Sequence, residues 1–244
     1  MGKVVEYMPS CHSTNDIARE MLVRPDIAEG MVVITDHQVH GRGQRGNSWV
    51  SAIGQNLTLS VILKPSFLSV SKQFYLNMIS SLAVMQTIED LLGSSPLVQV
   101  KWPNDVMLNE KKVCGILIEN IVRKSRLDYS IIGIGLNVNQ KAFGFDRVTS
   151  ISSALDREVE LQKVMEILMS NLESLYLKLR SNKEQEIKEK YLENLLGYLK
   201  PRKYQSEYVF EGTIVDVLDS GLLKIKTPSG NNLFDFKAVS FLWN

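Results

Sequence analysis

Residues 74–92, FYLNMISSLAVMQTIEDLL, set the strongest limit on how this chain folds. They read as a long, mostly apolar, central helix, and a helix apolar on most sides has to be covered on most sides. The flanking segments supply the cover. NLTLSVILK at 56–64 alternates, so Leu57, Leu59, Val61 and Leu63 share one face of a strand. MVVITD at 31–36 and DYSIIGIGLNVN at 128–139 read as buried strands, and KVVEYM at 3–8 as a short one. VQVKW and DVMLN read as strands, and KVCGILIENIV at 112–122 returns from NEKK as a hairpin partner. STNDIAREMLV at 13–23 is a predicted helix, with Ser13 and Asp16 in the Ser-x-x-acid capping pattern and Ile17, Met21 and Leu22 as its apolar stripe. Helices follow at roughly 160–180 and 184–197, with heptad-like Leu and Met spacing.

The texture changes near GYLKPRKYQSE at 197–207, where Gly197 and Pro201 end the helical pattern. EYVFEGTIVDV, LLKIKT, NLFDF and AVSFLW then alternate in short runs separated by LDSG and PSGN. These short strands predict a small barrel appended to the main unit, with a division at 1–198 and 199–244.

Composition excludes several partners. With 28 Lys+Arg against 27 Asp+Glu the net charge is +1, whereas a protein that grips duplex nucleic acid through its phosphates carries a clear basic excess. A local ligand is favoured over a long polyanion. Two cysteines, Cys11 and Cys114, are too few for a disulfide scaffold and are expected to stay reduced. The N-terminal MGKVVEYMPS has no secretory apolar stretch, and no run approaches the roughly 18 apolar residues of a membrane span. The expectation is a cytoplasmic protein with no membrane partner.

Four stretches carry chemistry. HGRGQRGNSW at 40–49 places Gly41, Gly43 and Gly46 beside Arg42 and Arg45. Glycines let main-chain N–H groups approach an anion, and arginines bind phosphate or carboxylate. Trp49 either covers a base or anchors the loop. The ordinary alternative is an exposed turn with scattered positive charge. The loop is neither a Walker loop, since no Gly-Lys-Ser/Thr follows, nor a dinucleotide fingerprint, since its Gly spacing differs. SCHSTND clusters hydroxyl and amide groups at a helix start, suited to a polar ligand or to plain capping. VKWPNDVML interrupts a strand with Trp-Pro and carries Lys101, Asn104 and Asp105, marking an edge, a bulge or a site. In KKVCGILIEN, Lys112 stands at a strand mouth and Gly115 leaves a gap three residues later. A lysine there stabilises developing negative charge or is simply a solvated strand end.

Taken together, STND (13–16), DHQVHGRGQRGNSW (36–49), KWPNDV (101–106), KVCGILIE (112–119) and GIGLNVN (133–139) closely resemble the biotin protein ligase family, in its order and spacing. The likeness covers roughly the first 140 residues, and the later layout fits as well. It implies an α+β fold: a mixed β-sheet flanked by helices, as in class II aminoacyl-tRNA synthetases, with a small C-terminal SH3-like β-barrel. It also implies a reaction. Biotin's carboxylate attacks the α-phosphate of ATP, with Mg²⁺, giving biotinyl-5′-AMP and pyrophosphate. A lysine of a biotin carboxyl carrier domain, part of a biotin-dependent carboxylase such as acetyl-CoA carboxylase, then displaces AMP.

By the resemblance, Ser13, Thr14, Asn15, Gln38, Gly41, Arg42, Lys112 and Gly115 hold biotin. Arg42, Gly43, Gln44, Arg45, Trp49, Lys101, Asn104, Lys112 and Asn137 hold the nucleotide. Lys112, Arg42 and Asp105 are the catalytic candidates: Lys112 touches carboxylate and α-phosphate, and Asp105 orients the acceptor amine. No metal ligand is assigned. Many relatives read Gly-Arg-Gly-Arg where this chain reads Gly-Arg-Gly-Gln, so Gln44 replaces a cation and Arg45 is expected to compensate. Because STND begins at residue 13, no three-helix DNA reader is expected ahead of it, and no specific DNA binding. Family members often dimerise, and a homodimer stays open here. A lipoate- or octanoyl-transferring relative and a non-catalytic biotin-binding regulator are the alternatives; Lys112 together with KWPND argues for catalysis.

Overall fold

A computed structural model describes residues 1–93 and 97–243, with the backbone alone at Arg45. Its main sheet has seven strands: β1 (Val5–Cys11), β2 (Met31–Gln38), β3 (Leu57–Leu63), β4 (Val98–Lys101), β5 (Asp105–Leu108), β6 (Lys111–Arg123) and β7 (Arg126–Leu136). Their order is β1-β2-β3-β7-β6-β5-β4, so β7 lies at the centre between β3 and β6, and β1 and β4 form the edges. The β1–β2 pair is parallel and the other pairs are antiparallel, the mixed sheet expected.

Register explains how the two faces differ. Leu57, Leu59 and Val61 of β3 face Leu136, Ile134 and Ile132 of β7. Those three in turn face Cys114, Ile116 and Ile118 of β6. This apolar face lies against helix α2 (Phe74–Leu92), which α4 (Leu161–Arg180) and α5 (Glu184–Glu193) also contact. Leu76, Ile79, Leu82 and Ala83 of α2 are fully buried. Each large apolar side chain covered in this way contributes about 1.5–3 kcal/mol. On the opposite face, α1 (Thr14–Met21) covers one end, where Ala18 and Met21 pack on Val33, Ile62 and Ile131. The rest of that face stays open.

The hairpin expected from NEKK is present: Asn109 and Glu110 form the β5–β6 reversal with φ of 49° and 61°. α5 stops at Glu193, short of the expected 197, and a short helix, α3 (Ile151–Leu155), adds an element that periodicity did not signal. Pro201 does not begin a loop. It is the first residue of β8 (Pro201–Gln205), a place where its missing N–H is tolerated.

β8 joins β9 (Val209–Val217), β10 (Leu223–Thr227), β11 (Gly230–Phe234) and β12 (Ser240–Phe241) in an antiparallel sheet of order β11-β10-β9-β8-β12. Among the described residues no pairing of β11 with β12 closes it, so it is an open sheet of the size expected for the small barrel. It docks through Trp102, which is buried, donates from Nε1 to the Gly221 carbonyl at 2.9 Å and packs 5.4 Å from the Phe236 ring. Gly221 has φ +95°, and a Cβ there would meet the Phe74 ring at 2.6 Å. The apolar core therefore runs unbroken from α2 into the C-terminal sheet. Trp102→Ala is expected to lower stability by about 3–5 kcal/mol, read as a drop in the urea midpoint.

Candidate functional site

Three glycines shape the open face of the sheet. Gly115 pairs with Gly135 across β6 and β7, and Leu117 pairs with Gly133. Glycine weakens a strand interior and marks close approach. A Cβ on Gly133 would lie 2.4 Å from Asn15 Oδ1, and one on Gly135 only 2.3 Å from the Trp49 indole. Over this floor lies a cavity of about 790 Å³, a size typical of small-molecule sites.

The predicted motifs converge on it. Ser13, Thr14 and Asn15 from the start of α1, Gln38 from the end of β2, and Arg42, Gly43, Gln44 and Trp49 from the glycine-rich loop all line it. So do Lys101, Asn104 and Asp105 from the β4–β5 corner, and Lys112 and Gly115 from β6. Gly41 stands behind them at the loop's neck, where its carbonyl accepts from Trp49 N at 2.8 Å and a Cβ would lie 2.2 Å from the Trp49 carbonyl oxygen. Asn137 lies apart: it is buried below the cavity lining, and its amide donates to the Thr149 carbonyl at 3.0 Å. The side chain of Arg45, and with it the expected compensation for Gln44, lies outside the described residues.

One end of the cavity presents neutral polar groups, the charges around it being balanced by the pairing of Arg42 with Asp16 and Glu119. Ser13 is the N-cap of α1 by backbone shape, yet its side chain makes no capping bond and Asp16 pairs elsewhere, with Arg42. The expected capping pattern is therefore not formed, and Ser13 lines the cavity wall. Gln38 Oε1 accepts from Thr14 N at 2.8 Å, and Thr14 Oγ1 lies 3.1 Å from the same oxygen. Ser60 Oγ is 2.7 Å from both Thr14 Oγ1 and Asn15 Oδ1. A hydroxyl has one hydrogen, so Ser60 donates to one of these two oxygens at a time, while Thr14 directs its own hydrogen to Gln38 Oε1. Asn15 Nδ2 gives its two hydrogens to the Leu117 carbonyl at 3.3 Å and Glu119 Oε2 at 2.8 Å. Asn15 is left with acceptor capacity for a ligand, and Gln38, its oxygen committed, with donors.

The other end is charged. Lys112 Nζ lies 2.6 Å from Asp105 Oδ1, and Lys101 Nζ 3.9 Å from Asp105 Oδ2. Among the described lining residues Asp105 is the one carboxylate, against Arg42, Lys101, Lys112 and Lys237. Burial pushes the Lys101 ammonium below the usual lysine range; the Asp105 carboxylate pulls it up and Lys112 pushes it further down. Lys112 Nζ also stands 5.6 Å over the Trp49 ring, whose Nε1 is buried without a partner. Asn104 ties the corner to β6, its Nδ2 donating to the Ile116 carbonyl at 2.8 Å. No group of three or more His, Cys, Asp or Glu among the described residues is placed to hold a metal.

Several site residues escaped the sequence reading. Ser60, Glu119, Gly133 and Gly135 lie on the open face of β3, β6 and β7, and the alternating glycines of GIGLN were a usable sign of it. Lys237, Val239, Ser240 and Phe241 come from the C-terminal sheet, whose sequence carries no motif.

Residues 7–137 match the model of the biotin/lipoate A/B protein ligase family. The chain is 31% identical over 238 residues to the bifunctional ligase/repressor BirA of Bacillus subtilis, covering 94% of this chain and 71% of that one. Over 113 residues it is 33% identical to the biotin--[acetyl-CoA-carboxylase] ligase of Mycobacterium tuberculosis, covering 46% of this chain and 41% of that one. Its structure is similar to that of the Aquifex aeolicus biotin protein ligase in complex with biotin and ATP: TM-score 0.81, 26% identity, 99% of this chain and 100% of that one. Since Asp105 raises the Lys101 pKa, Asp105→Asn is expected to lower it further. NMR titration of labelled lysine side chains reads this, and an unchanged or higher value contradicts the assignment.

Proposed function

Because the chain belongs to the biotin/lipoate A/B protein ligase family, we propose that it is an ATP-dependent, AMP-forming biotin protein ligase. The observation that carries this reading is the cavity's polarity. Its neutral end offers both an acceptor and donors, and its charged end brings two lysines around Asp105. Biotin has the same polarity: a ureido ring with N–H and C=O groups at one end and a carboxylate at the other. A lipoyl or octanoyl chain has no group for Asn15 or Gln38.

The ureido N–H donates to Asn15 Oδ1, and the ureido oxygen accepts from the Ser13 hydroxyl. The carboxylate extends over Gly115 toward Lys112. Carboxylate and α-phosphate repel each other as they close. Lys112, with Lys101 behind it, stabilises the added charge, the largest contribution that preorganised groups make. A carboxylate oxygen forms a bond to the α-phosphorus while the α–β bridging bond breaks, and pyrophosphate leaves with the electron pair. In the second step the acceptor lysine's amine attacks the anhydride carbonyl and AMP leaves with its electrons. Asp105, freed from Lys112 once that lysine faces the phosphate, orients the amine and takes its proton. The glycine-rich loop shields the anhydride from water.

Mg²⁺, bound with the triphosphate, supplies charge neutralisation. Asp105 and Asn104 would be the oxygen donors that hold it at that end, oxygen ligands being what a hard cation takes. The acceptor in this reading is a biotin carboxyl carrier domain. Residues 1–198 carry the chemistry and residues 199–244 wall the nucleotide end. The protein is assigned to the cytoplasm, where Cys11 and Cys114 stay free thiols. A net charge of +1 gives no support to specific DNA binding.

The test is to incubate the protein with ATP, Mg²⁺, an equimolar mixture of biotin and lipoate, and a carrier domain, then to weigh the carrier. A biotin increment is expected; a lipoyl increment or none contradicts the proposal. Lys112→Ala is expected to slow adenylate formation by roughly 10²-fold or more.

A further inference from the structure

Two motif residues take no part in the chemistry above. Asp16 closes the Ser-Thr-Asn-Asp stretch, and Glu119 closes the motif on β6. Both reach Arg42: its Nη2 pairs with the Asp16 carboxylate and lies 3.0 Å from Glu119 Oε2. The same Glu119 Oε2 accepts from Asn15 Nδ2 at 2.8 Å, while Oε1 takes Arg19 at 3.1 Å. One carboxylate oxygen therefore touches both the amide that faces the ligand and the arginine of the glycine-rich loop.

We propose that Glu119, assisted by Asp16, is a positioning residue that couples the biotin-ring end of the cavity to order in the glycine-rich loop. The inference rests on the biotin reading given above. Two consequences of removing Glu119 carry it. Asn15 Nδ2 would keep only the Leu117 carbonyl, at 3.3 Å. The amide would then be free to turn over and present N–H groups where the ureido ring needs an acceptor. Arg42, which sits beside Gly41 and Gly43 with its side chain 42% exposed, would keep Asp16 alone. Ion pairs this exposed add little to global stability, so the contribution of the network is geometric.

The charges agree with this role. Arg42 and Arg19 are balanced by Asp16 and Glu119, so the cluster adds no net charge of its own. Within it Arg42 works as the loop's latch. A ligand that holds Asn15 in place also holds the Glu119 rotamer, and through it Arg42. Coupling of this kind is reciprocal: whatever orders the loop also tightens biotin.

The experiment uses the full chain and two readouts, calorimetric titration with biotin and amide hydrogen exchange across residues 41–49. In the unaltered protein biotin is expected to slow exchange in 41–49. In Glu119→Ala biotin is expected to bind about tenfold more weakly and to leave exchange in 41–49 unchanged, with a melting temperature near that of the parent. Arg42→Ala is expected to behave likewise, and the double variant to be no weaker than the worse single one, as for residues acting through one contact. Arg19→Ala, which removes only the partner of Oε1, is expected to leave both readouts alone. Should Glu119→Ala not fold, Glu119→Gln keeps the shape and one acceptor oxygen and is expected to show a smaller loss of both. Undiminished biotin affinity or undiminished loop protection in the Glu119 variant overturns the coupling, as does an Arg19→Ala loss of equal size. If the unaltered chain itself fails to bind biotin, the functional reading falls together with the coupling; if it binds and only the variants are silent, the coupling alone falls.

Discussion

Gly115 faces Gly135 and Leu117 faces Gly133 across the β6–β7 ladder, and the site is built on that register. On one side of these strands Cys114, Ile116, Ile132 and Ile134 fill the core against α2. On the other side the missing side chains lower the floor, so that Asn15 and Trp49 approach the backbone itself. Because strand side chains alternate with period 2, a slip of one residue would put apolar side chains into the cavity and glycines into the core. The core therefore sets the register, and the register sets the depth of the site.

The cavity then divides by charge. At its neutral end the hydrogen bonds among Thr14, Asn15, Gln38 and Ser60 assign each amide one orientation. At its charged end Asp105 stands between Lys101 and Lys112 and keeps two ammonium groups close together in a partly buried place. An anion that displaces Lys112 from Asp105 gains a cation and releases a carboxylate in the same movement. In the proposed reaction, that exchange would let one small set of groups serve first an acyl phosphate and then an amine.

Much of this was legible in the sequence where the signal was local. α2 spans the residues its apolar pattern marked, 74–92, and Leu57, Leu59, Val61 and Leu63 share the core on the α2 side as their spacing requires, while Ile62 packs under α1 and the whole strand is buried. Most of the motif residues line one cavity. Long-range partners were not legible. Ser13 and Asp16 have the spacing of a cap, yet Arg42, 26 residues along the chain, takes Asp16. Asn137 has the motif context of a ligand residue but spends its amide on Thr149. The β6–β7 reversal is made by Lys124 and Ser125 with φ of 49° and 65°, without the Gly or Asn that such turns favour. Phe241 reaches the cavity because Trp102 docks the C-terminal sheet beside it, a contact that no local pattern announces.

In the proposed reaction the glycine floor is what allows an adenylate to form and stay in this cavity. The most direct measurement is the amount of biotinyl-AMP retained by Gly135→Val after incubation with biotin, ATP and Mg²⁺ in the absence of an acceptor. A Cβ there would meet the Trp49 indole at 2.3 Å, so the variant is expected to push Trp49 off the floor and to retain no adenylate, with circular dichroism reporting that it stays folded. A folded Gly135→Val that holds biotinyl-AMP at the parent's level would contradict the account.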